Sequence, residues 1–194
     1  MFTMTDDYDG SQVLFRQAKA RTLAARRFAT EAEQEKSLGR HGIERTQRER
    51  DAVIVVLILT QGAAEGYANW VHLQAETKVN GSWVNRWEKL TDAAKNMKRS
   101  AEFALGNDHR AFLNELGAWR NYLLHADARA RIRLRELLAN DGRLTEGLSE
   151  PDLLTADLAE STLHLANQLF RWAQDQTGIQ APFLDSVWVA PDEC

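Results

Sequence analysis

The chain has 194 residues, of which 44% are hydrophobic and only 3 are proline, a composition typical of one helix-rich globular domain with a full core. Its net charge of −4 argues against a general nucleic-acid coat protein. The single cysteine, Cys194, excludes an intramolecular disulfide and any metal site built from several cysteines.

The first predicted elements are a flexible segment at residues 1–10 and a helix over residues 11–37. The helical segment is rich in alanine, arginine and glutamate and contains no proline, which favours a helix. Two glycines within residues 38–42 predict the turn that ends it. Because the acidic, polar start does not resemble a secretory signal, we expect a cytoplasmic protein.

A second, long helix is predicted over residues 44–79, with an apolar centre at residues 52–59 that suits burial between other helices. The β-branched run at residues 53–56 would also suit a strand, but no turn residues flank it, and we favour a helix. Gly62 and Gly66 are expected to permit the close approach of a neighbouring helix. The apolar run is far shorter than the ~20 residues of a membrane span, so no membrane partner is predicted.

Four polar residues on this helix share one face, because they follow each other at spacings of four, three and four: Glu65, Asn69, His72 and Glu76. One interpretation is an exposed edge of the bundle. The other is that Glu65 and Asn69 support a functional site on a neighbouring helix. The sequence leaves both interpretations open.

An amphipathic helix with a basic face is predicted next, with Ser82 as its N-cap. Its apolar positions recur at spacings of four and three and are Trp83, Trp87, Leu90, Ala94 and Met97. We interpret the two tryptophans as core residues rather than as platforms for stacking bases. The segment ends near Gly106, and Asp108 is the predicted N-cap of the following helix.

The most informative stretch lies on that following helix, predicted over residues 109–125. Its buried stripe is predicted to be Phe112, Leu116, Trp119 and Leu123. Beside the stripe, Arg120, Asn121 and His125 form an Arg-Asn-x-x-x-His motif. Asn121 and His125 are four residues apart, so the amide can orient the imidazole by a hydrogen bond. Arg120 and His125 are rotated by about 140° and separated by about 7.5 Å along the axis. They can still converge on one phosphate, since arginine is long and His125 lies near a helix end.

The remaining chain is also predicted to be helical. Residues 129–135 alternate arginine with apolar residues, as in a strand, but the leucines that follow favour a helix. Ser149 to Asp152 predict a capping box, and a wide apolar face continues to residue 176, with Gly178 as the C-cap. The tail, residues 179–194, retains apolar side chains and is predicted to pack on the bundle. The predicted fold is an all-α, up-and-down bundle of five to six helices.

The Arg-Asn-x-x-x-His motif resembles that of the HEPN superfamily, small helical domains whose nuclease members carry an arginine, a polar residue and a histidine after four to six intervening positions. Residues 64–69, Ala-Glu-Gly-Tyr-Ala-Asn, are similar to a segment that precedes the motif helix in many such proteins. The resemblance implies a HEPN-like bundle over residues 11–178. It also implies metal-independent RNA cleavage that leaves a 2′,3′-cyclic phosphate, two motif copies facing each other in a homodimer, and a role in toxin–antitoxin or phage-defence systems. A cognate antitoxin or regulatory protein is then a possible partner.

The residues themselves suit such chemistry. None of the five histidines has a glutamate three positions earlier, so paired Glu-x-x-His motifs for a di-iron site are absent from the sequence, and we predict no metal and no cofactor. Histidine can move protons near neutral pH, and arginine can neutralise charge on a phosphate. The predicted catalytic residues are Arg120, Asn121 and His125, with Glu65, Asn69 and Tyr122 as supporting candidates.

Charge is distributed unevenly along the chain. Residues 84–135 contain 11 Lys/Arg and 6 Asp/Glu, whereas residues 136–194 contain 2 and 11. The motif lies in the basic part, where Lys95, Lys98, Arg129 and Arg131 are candidates for RNA binding. The alternatives are a merely solvated basic face, a non-catalytic HEPN-like module that binds nucleotide, RNA or a protein, and a structural motif. In the structural case, Arg120 pairs with Glu115 or Asp127.

Overall fold

The computed structural model describes residues 6–98, 105–125, 127–179 and 181, and within them the chain contains helices and no strand, so the predicted all-α bundle is confirmed. The helices are α1 (Asp6–Ser37), α2 (Ile43–Gln74), α3 (Trp83–Glu88), α4 (Leu90–Asn96), α5 (Asn107–His125), α6 (Ala128–Asn140) and α7 (Ala156–Thr177), with a 3-10 turn at Glu150–Leu153. Helix α1 begins inside the segment that was predicted to be flexible, whose first five residues lie outside the described part. Most of the predicted tail also lies outside it.

Helices α1 and α2 form the largest packed pair in the bundle, a hairpin of two 32-residue helices. The turn between them uses Gly39 and Gly42 at φ 74° and 59°, a left-handed conformation that glycine adopts without a steric penalty. The apolar centre of α2 is buried, as predicted, and no part of it forms a strand. Helix α2 also contacts α3, α4, α5 and α7, so it is the central element of the fold.

The predicted close approach at the two glycines of α2 is confirmed. A Cβ atom at Gly62 would lie 3.2 Å from Leu14 Cδ1, and a Cβ atom at Gly66 would overlap the hydroxyl of Ser11, which is buried on α1. The Ser11 side chain therefore occupies the space that a Cβ atom at Gly66 would need, so a larger residue fits only if the serine moves.

We expect Gly66→Ala to destabilise the protein by about 1–2 kcal/mol, because the overlap with Ser11 outweighs the ~1 kcal/mol that alanine gains in helix propensity. Urea unfolding followed by circular dichroism measures the change. Gly10→Ala is the matched control, since a Cβ atom there meets nothing within 4 Å. In a Ser11→Ala background, Gly66→Ala should become neutral or stabilising. Equal responses at Gly10 and Gly66 would contradict the close approach.

A single helix was predicted from Trp83 to Met97, but the structure has two helices there, α3 and α4. Lys89 ends α3 and precedes α4 at φ −91° and ψ 8°, a backbone conformation between the helical and extended regions. Ser82 caps α3 as predicted, since its side chain accepts a hydrogen bond from the Asn85 backbone N–H at 3.3 Å. Trp87 is fully buried, which confirms its interpretation as a core residue. Trp83 is half-buried and also packs on the core, against Gly117.

Helices α5, α6 and α7 complete the bundle. Helix α7 packs against α1, α2, α4 and α5, and it ends as predicted at Gly178, which has φ 64°. Helix α6 packs mainly on α5, so it lies at the periphery. Residues 129–135 are helical, and the strand interpretation is excluded. Helix α5 begins at Asn107, so Asp108 lies in its first turn and is not its N-cap.

Four aromatic side chains from four helices meet at the centre of the core: Phe15 (α1), Tyr67 (α2), Trp87 (α3) and Phe170 (α7). The Phe170 ring centroid lies 5.2 Å from that of Phe15, 5.4 Å from that of Tyr67 and 6.1 Å from that of Trp87. The Tyr67 hydroxyl donates a hydrogen bond to the Ile179 carbonyl at 3.1 Å, so it also holds the chain after α7. Each ring is at most 1% exposed.

Helix α2 is the one helix in the described part of the chain that is long and apolar enough to cross a membrane by length and composition. Its most apolar 18-residue window has a mean hydropathy of 1.3, and 56% of that window is buried within the bundle. Since the same helix is the central packing element of the fold, these properties are compatible with a soluble protein whose core it forms.

Candidate nucleic-acid interface

The Arg-Asn-x-x-x-His motif lies where α5 leaves the core. The buried residues of α5 end at Trp119, which is 1% exposed. Arg120 and Asn121 are half-buried, whereas Leu124 is 50% exposed and His125 is exposed. Leu123, predicted to be buried, is only partly so. We call residues 120–125 of α5 and 127–135 of the α6 segment the α5–α6 corner.

Arg120 is held by its neighbour and by no carboxylate in the described part of the chain. Its Nη1 donates a hydrogen bond to Asn121 Oδ1 at 3.3 Å. Glu115 instead accepts from Arg143 Nη1 at 2.6 Å and from Trp119 Nε1 at 3.1 Å. Asp127 caps α6 by accepting from the Ala130 backbone N–H at 2.7 Å. Both acids proposed as structural partners of Arg120 are therefore engaged elsewhere.

Asn121 does not orient His125, contrary to the sequence-based prediction. Its carbonyl oxygen accepts from Arg120, and within the described residues the His125 imidazole has no hydrogen-bond or ion-pair partner. The Asn121 oxygen lies beside a charged guanidinium, which is a strong hydrogen-bond donor, so it is engaged by its immediate neighbour. The side chain of Asn121 thus positions the arginine of the motif and leaves its histidine exposed.

An open depression lies beside the motif, between the end of α5 and the start of α6. It is lined by Tyr122, Leu123, Asp127, Ala128 and Arg131. Tyr122 packs edge-on against the buried Trp119, with ring centroids 6.1 Å apart and planes at 72°. Tyr122, predicted as a supporting residue, therefore reaches the candidate site as part of this depression.

The helical conformation of α6 divides its four arginines into two pairs. Arg131 and Arg135 both contact Glu150, at 2.9 Å and 3.4 Å. Arg129 and Arg133, four residues apart, share a different face. Both are exposed and have no ion pair within the described residues. Arg131, a predicted RNA-binding residue, thus holds Glu150 through Nε and Nη2, while Arg129 has no such acid. Arg133 was not predicted as an RNA-binding residue.

Glu150 is a buried carboxylate, 0% exposed, in the 3-10 turn that precedes α7. The hydrogen bond from Arg131 lowers its pKa from the ordinary value of 4.5, although burial opposes the shift. A carboxyl whose pKa is lower in the folded protein stabilises the fold above its unfolded pKa, and that contribution disappears as the pH falls through the folded pKa. The connection between α6 and α7 should therefore weaken in acid.

Glu150→Gln is expected to lower the free energy of unfolding by about 1 kcal/mol at pH 7. The substitution removes the negative partner of Arg131 and Arg135, but both arginines are half-exposed, so water limits the loss. The cost should shrink as the pH falls below the ordinary carboxyl pKa and through the lowered pKa of Glu150, where the wild-type carboxyl also becomes neutral. Urea unfolding at several pH values measures both quantities. Glu146→Gln, which makes the same charge change at an exposed acid in the preceding loop, is the control. A constant, pH-independent difference would contradict this role.

Glu65 and Asn69 serve a different contact from the one proposed for them. Glu65 Oε1 accepts from Arg86 Nη1 at 3.1 Å, and Asn69 Oδ1 accepts from the same nitrogen at 2.7 Å. His72 lies below them, 5% exposed, with Nε2 2.7 Å from the Arg86 carbonyl and Nδ1 2.7 Å from Thr77 Oγ1. Burial lowers the pKa of His72, so its neutral form is favoured, and Nε2 must be the donor to the carbonyl. Glu65, Asn69 and His72 therefore anchor α3, whereas Glu76 lies beyond α2, which ends at Gln74 and not at residue 79 as predicted.

Lys95 and Lys98 do not join the motif either. Lys95 is on α4 and Lys98 follows it, both are exposed, and α4 packs on α2, α3 and α7 rather than on α5. In the described part of the chain, no group of three or more His, Cys, Asp or Glu side chains is arranged to hold a metal ion.

No protein-family model, no curated protein and no solved structure matches this chain. The functional interpretation therefore depends on the residues of the α5–α6 corner. Two of those residues, Asp127 and Arg133, were not selected from the sequence. Asp127 could have been found from the sequence, because it is an N-cap type of residue immediately before a helical run. Arg133 could not, because only the helical conformation of α6 separates it from the arginines that bind Glu150.

Proposed function

We propose that this chain is a HEPN-like ribonuclease that cleaves RNA without a metal, with Arg120 and His125 acting on the scissile phosphate. The observation that supports it most is the state of these two side chains at the α5–α6 corner. Neither is buried in the core, and neither is paired with an acid in the described residues. A guanidinium and an imidazole without carboxylate partners can bind and act on an external phosphate.

The helical offset favours a site made by two copies of the chain. Arg120 and His125 lie about 140° apart around α5 and about 7.5 Å apart along it, so one copy alone presents them in different directions. Two corners facing each other would place the arginine of each copy opposite the histidine of the other. A homodimer is therefore part of the proposal.

The reaction is an internal transesterification. The ribose 2′-oxygen forms a bond to phosphorus while the bond from phosphorus to the 5′-oxygen breaks. The His125 imidazole of one copy takes the proton of the 2′-hydroxyl, and the protonated imidazole of the other gives a proton to the leaving 5′-oxygen. Arg120 neutralises the charge on the non-bridging oxygens. The products carry a 2′,3′-cyclic phosphate and a 5′-hydroxyl.

Such a reaction on cellular RNA suits a cytoplasmic toxin–antitoxin or phage-defence nuclease, in which an antitoxin or regulatory protein covers the site until it is needed. The exposed Arg129 and Arg133 supply positive charge beside the motif, which attracts the RNA backbone.

The test is incubation of purified protein with a mixed RNA pool in EDTA, beside an Arg120→Ala/His125→Ala double variant. Cleavage by the wild type alone, with products that carry 2′,3′-cyclic phosphates, supports the proposal. Activity per molecule should also rise with protein concentration if two copies form the site. Wild-type activity equal to that of the double variant would overturn the ribonuclease function.

A second candidate is a non-catalytic HEPN-like module that binds nucleotide, RNA or a protein partner at the same corner. The contact between Asn121 and Arg120 favours this candidate, because it leaves His125 without a side chain that orients it. A histidine that is not held in position is a less effective general acid or base. Binding of RNA without cleavage in the same assay would select this candidate.

A further inference from the structure

The depression beside the motif combines three kinds of group that a nucleobase requires. Tyr122 provides an aromatic ring, Asp127 a carboxylate and Arg131 a guanidinium, and all three line the same opening. Unpaired RNA bases are recognised by stacking on aromatic rings or arginine planes and by hydrogen bonds to their Watson–Crick edges. The depression is therefore suited to one unstacked base.

The position of Tyr122 links this depression to the motif. Tyr122 and His125 are three residues apart on α5 and share one side of the helix. A base stacked on Tyr122 would bring its own sugar and phosphate towards His125. The edge-on contact with Trp119 fixes the tyrosine ring, so little entropy is lost when a base stacks on it.

Asp127 supplies the carboxylate of this depression. It is an exposed acid among the arginines of α6, where a carboxylate would repel an RNA phosphate. As a carboxylate it can only accept hydrogen bonds, and the Ala130 N–H occupies a single position on Oδ1. Guanine presents two adjacent donors, N1–H and the N2 amino group, on its Watson–Crick edge. Adenine presents an acceptor at N1, which a carboxylate would repel.

Arg131 complements the same base. Its Nε and Nη2 donate to Glu150 at 2.9 Å and 3.4 Å, which fixes the guanidinium while its side chain stays 57% exposed. Its Nη1 has no protein partner within the described residues. Arginine pairs preferentially with the O6 and N7 acceptors of guanine, so a fixed Nη1 at this opening adds to the preference.

We propose that the depression formed by Tyr122, Asp127 and Arg131 is a guanine-binding subsite that sets the base preference of the α5–α6 corner. The inference rests on the proposed function, since it takes RNA as the ligand of this surface. It goes beyond that function by naming the base and the residues that select it.

The test measures binding separately from cleavage. Octamers of uridylate with one central guanine, inosine or adenine are made with 2′-fluoro sugars, which lack the nucleophile, and their binding is followed by fluorescence anisotropy. Guanine should bind about tenfold more tightly than adenine, and inosine, which lacks the N2 amino group, should lie between them. Asp127→Asn should bring the ratio of guanine to adenine affinity close to one.

Asp127→Asn is a conservative variant, because asparagine is as good an N-cap as aspartate and α6 should remain folded. The matched control is Asp141→Asn, which removes the same charge at the exposed opposite end of α6 and should leave the guanine preference unchanged. Equal affinity for the three octamers, a preference that survives Asp127→Asn, or no binding at all would overturn the inference.

The corresponding ribose octamers in EDTA distinguish this inference from the ribonuclease proposal. A guanine preference without cleavage supports the subsite and overturns the nuclease function. Cleavage at equal rates whatever the central base supports the nuclease function and overturns the guanine subsite.

Discussion

Replacing His125 by alanine is expected to lower the rate of RNA cleavage in EDTA by about 10²–10⁴-fold, the usual contribution of a general acid or base. The reason is that no other imidazole shares the α5–α6 corner. His72 is buried against α3, His109 lies at the other end of α5 and His164 is on α7. The measurement is the initial rate of cleavage under single-turnover conditions, with the fold checked by circular dichroism.

His164→Ala is the matched control for this prediction. His164 is also an exposed histidine near the surface of a helix, where its Nε2 lies 2.9 Å from Gln168 Nε2. Its loss should leave the cleavage rate unchanged. Because His125 is exposed, its replacement should not alter the stability of the protein. A lower cleavage rate would then be due to the loss of the acid–base group and not to unfolding. A His125→Ala rate within threefold of the wild type would contradict the proposed role.

Arg120 should show a different signature from His125. Arg120→Lys retains the positive charge but loses the planar fork that binds two phosphate oxygens, so we expect an intermediate loss between the wild type and Arg120→Ala. The pH dependence of the rate should persist in both arginine variants and disappear in His125→Ala. This difference separates a group that binds charge from one that transfers a proton.

The helices were predictable from the sequence because their causes are local. The spacing of apolar residues, the cap at Ser82 and the glycine at 178 each act within a few residues of the structure that they determine. The glycines of α2 were correctly interpreted as points of close approach. Which helix approaches them depends on the tertiary fold, and the sequence did not identify α1.

The side-chain partners of the candidate site were much harder to predict. Arg131 contacts Glu150, 19 residues further on, and Glu65 contacts Arg86, 21 residues further on. A helical offset shows which residues share a face, but it does not show what that face meets. The same limit applies to Asn121, whose carbonyl oxygen accepts from the adjacent Arg120 and not from His125, four residues further on.

The largest expected effect on stability is at Phe170, where we expect replacement by alanine to cost about 3–5 kcal/mol. Its ring contacts the other three of the central four, at centroid distances of 5.2, 5.4 and 6.1 Å. Removing it leaves a cavity bordered by α1, α2 and α3, and a close-packed interior collapses only partly around such a gap. Folding free energies of about 5–15 kcal/mol make this loss a large fraction of the total.

Urea unfolding of Phe170→Ala, Phe170→Leu and Phe28→Ala would test this role. Leucine refills much of the volume and should cost less than about 1.5 kcal/mol. Phe28 is a half-buried ring on α1 that stacks with Arg27, so its loss makes the same chemical change outside the central cluster. Since α7 joins the α1–α2 hairpin to α4 and α5, the Phe170 variants should unfold in one transition with an unchanged dependence on urea. If Phe170→Ala costs no more than Phe28→Ala, the four rings do not form the centre of the core.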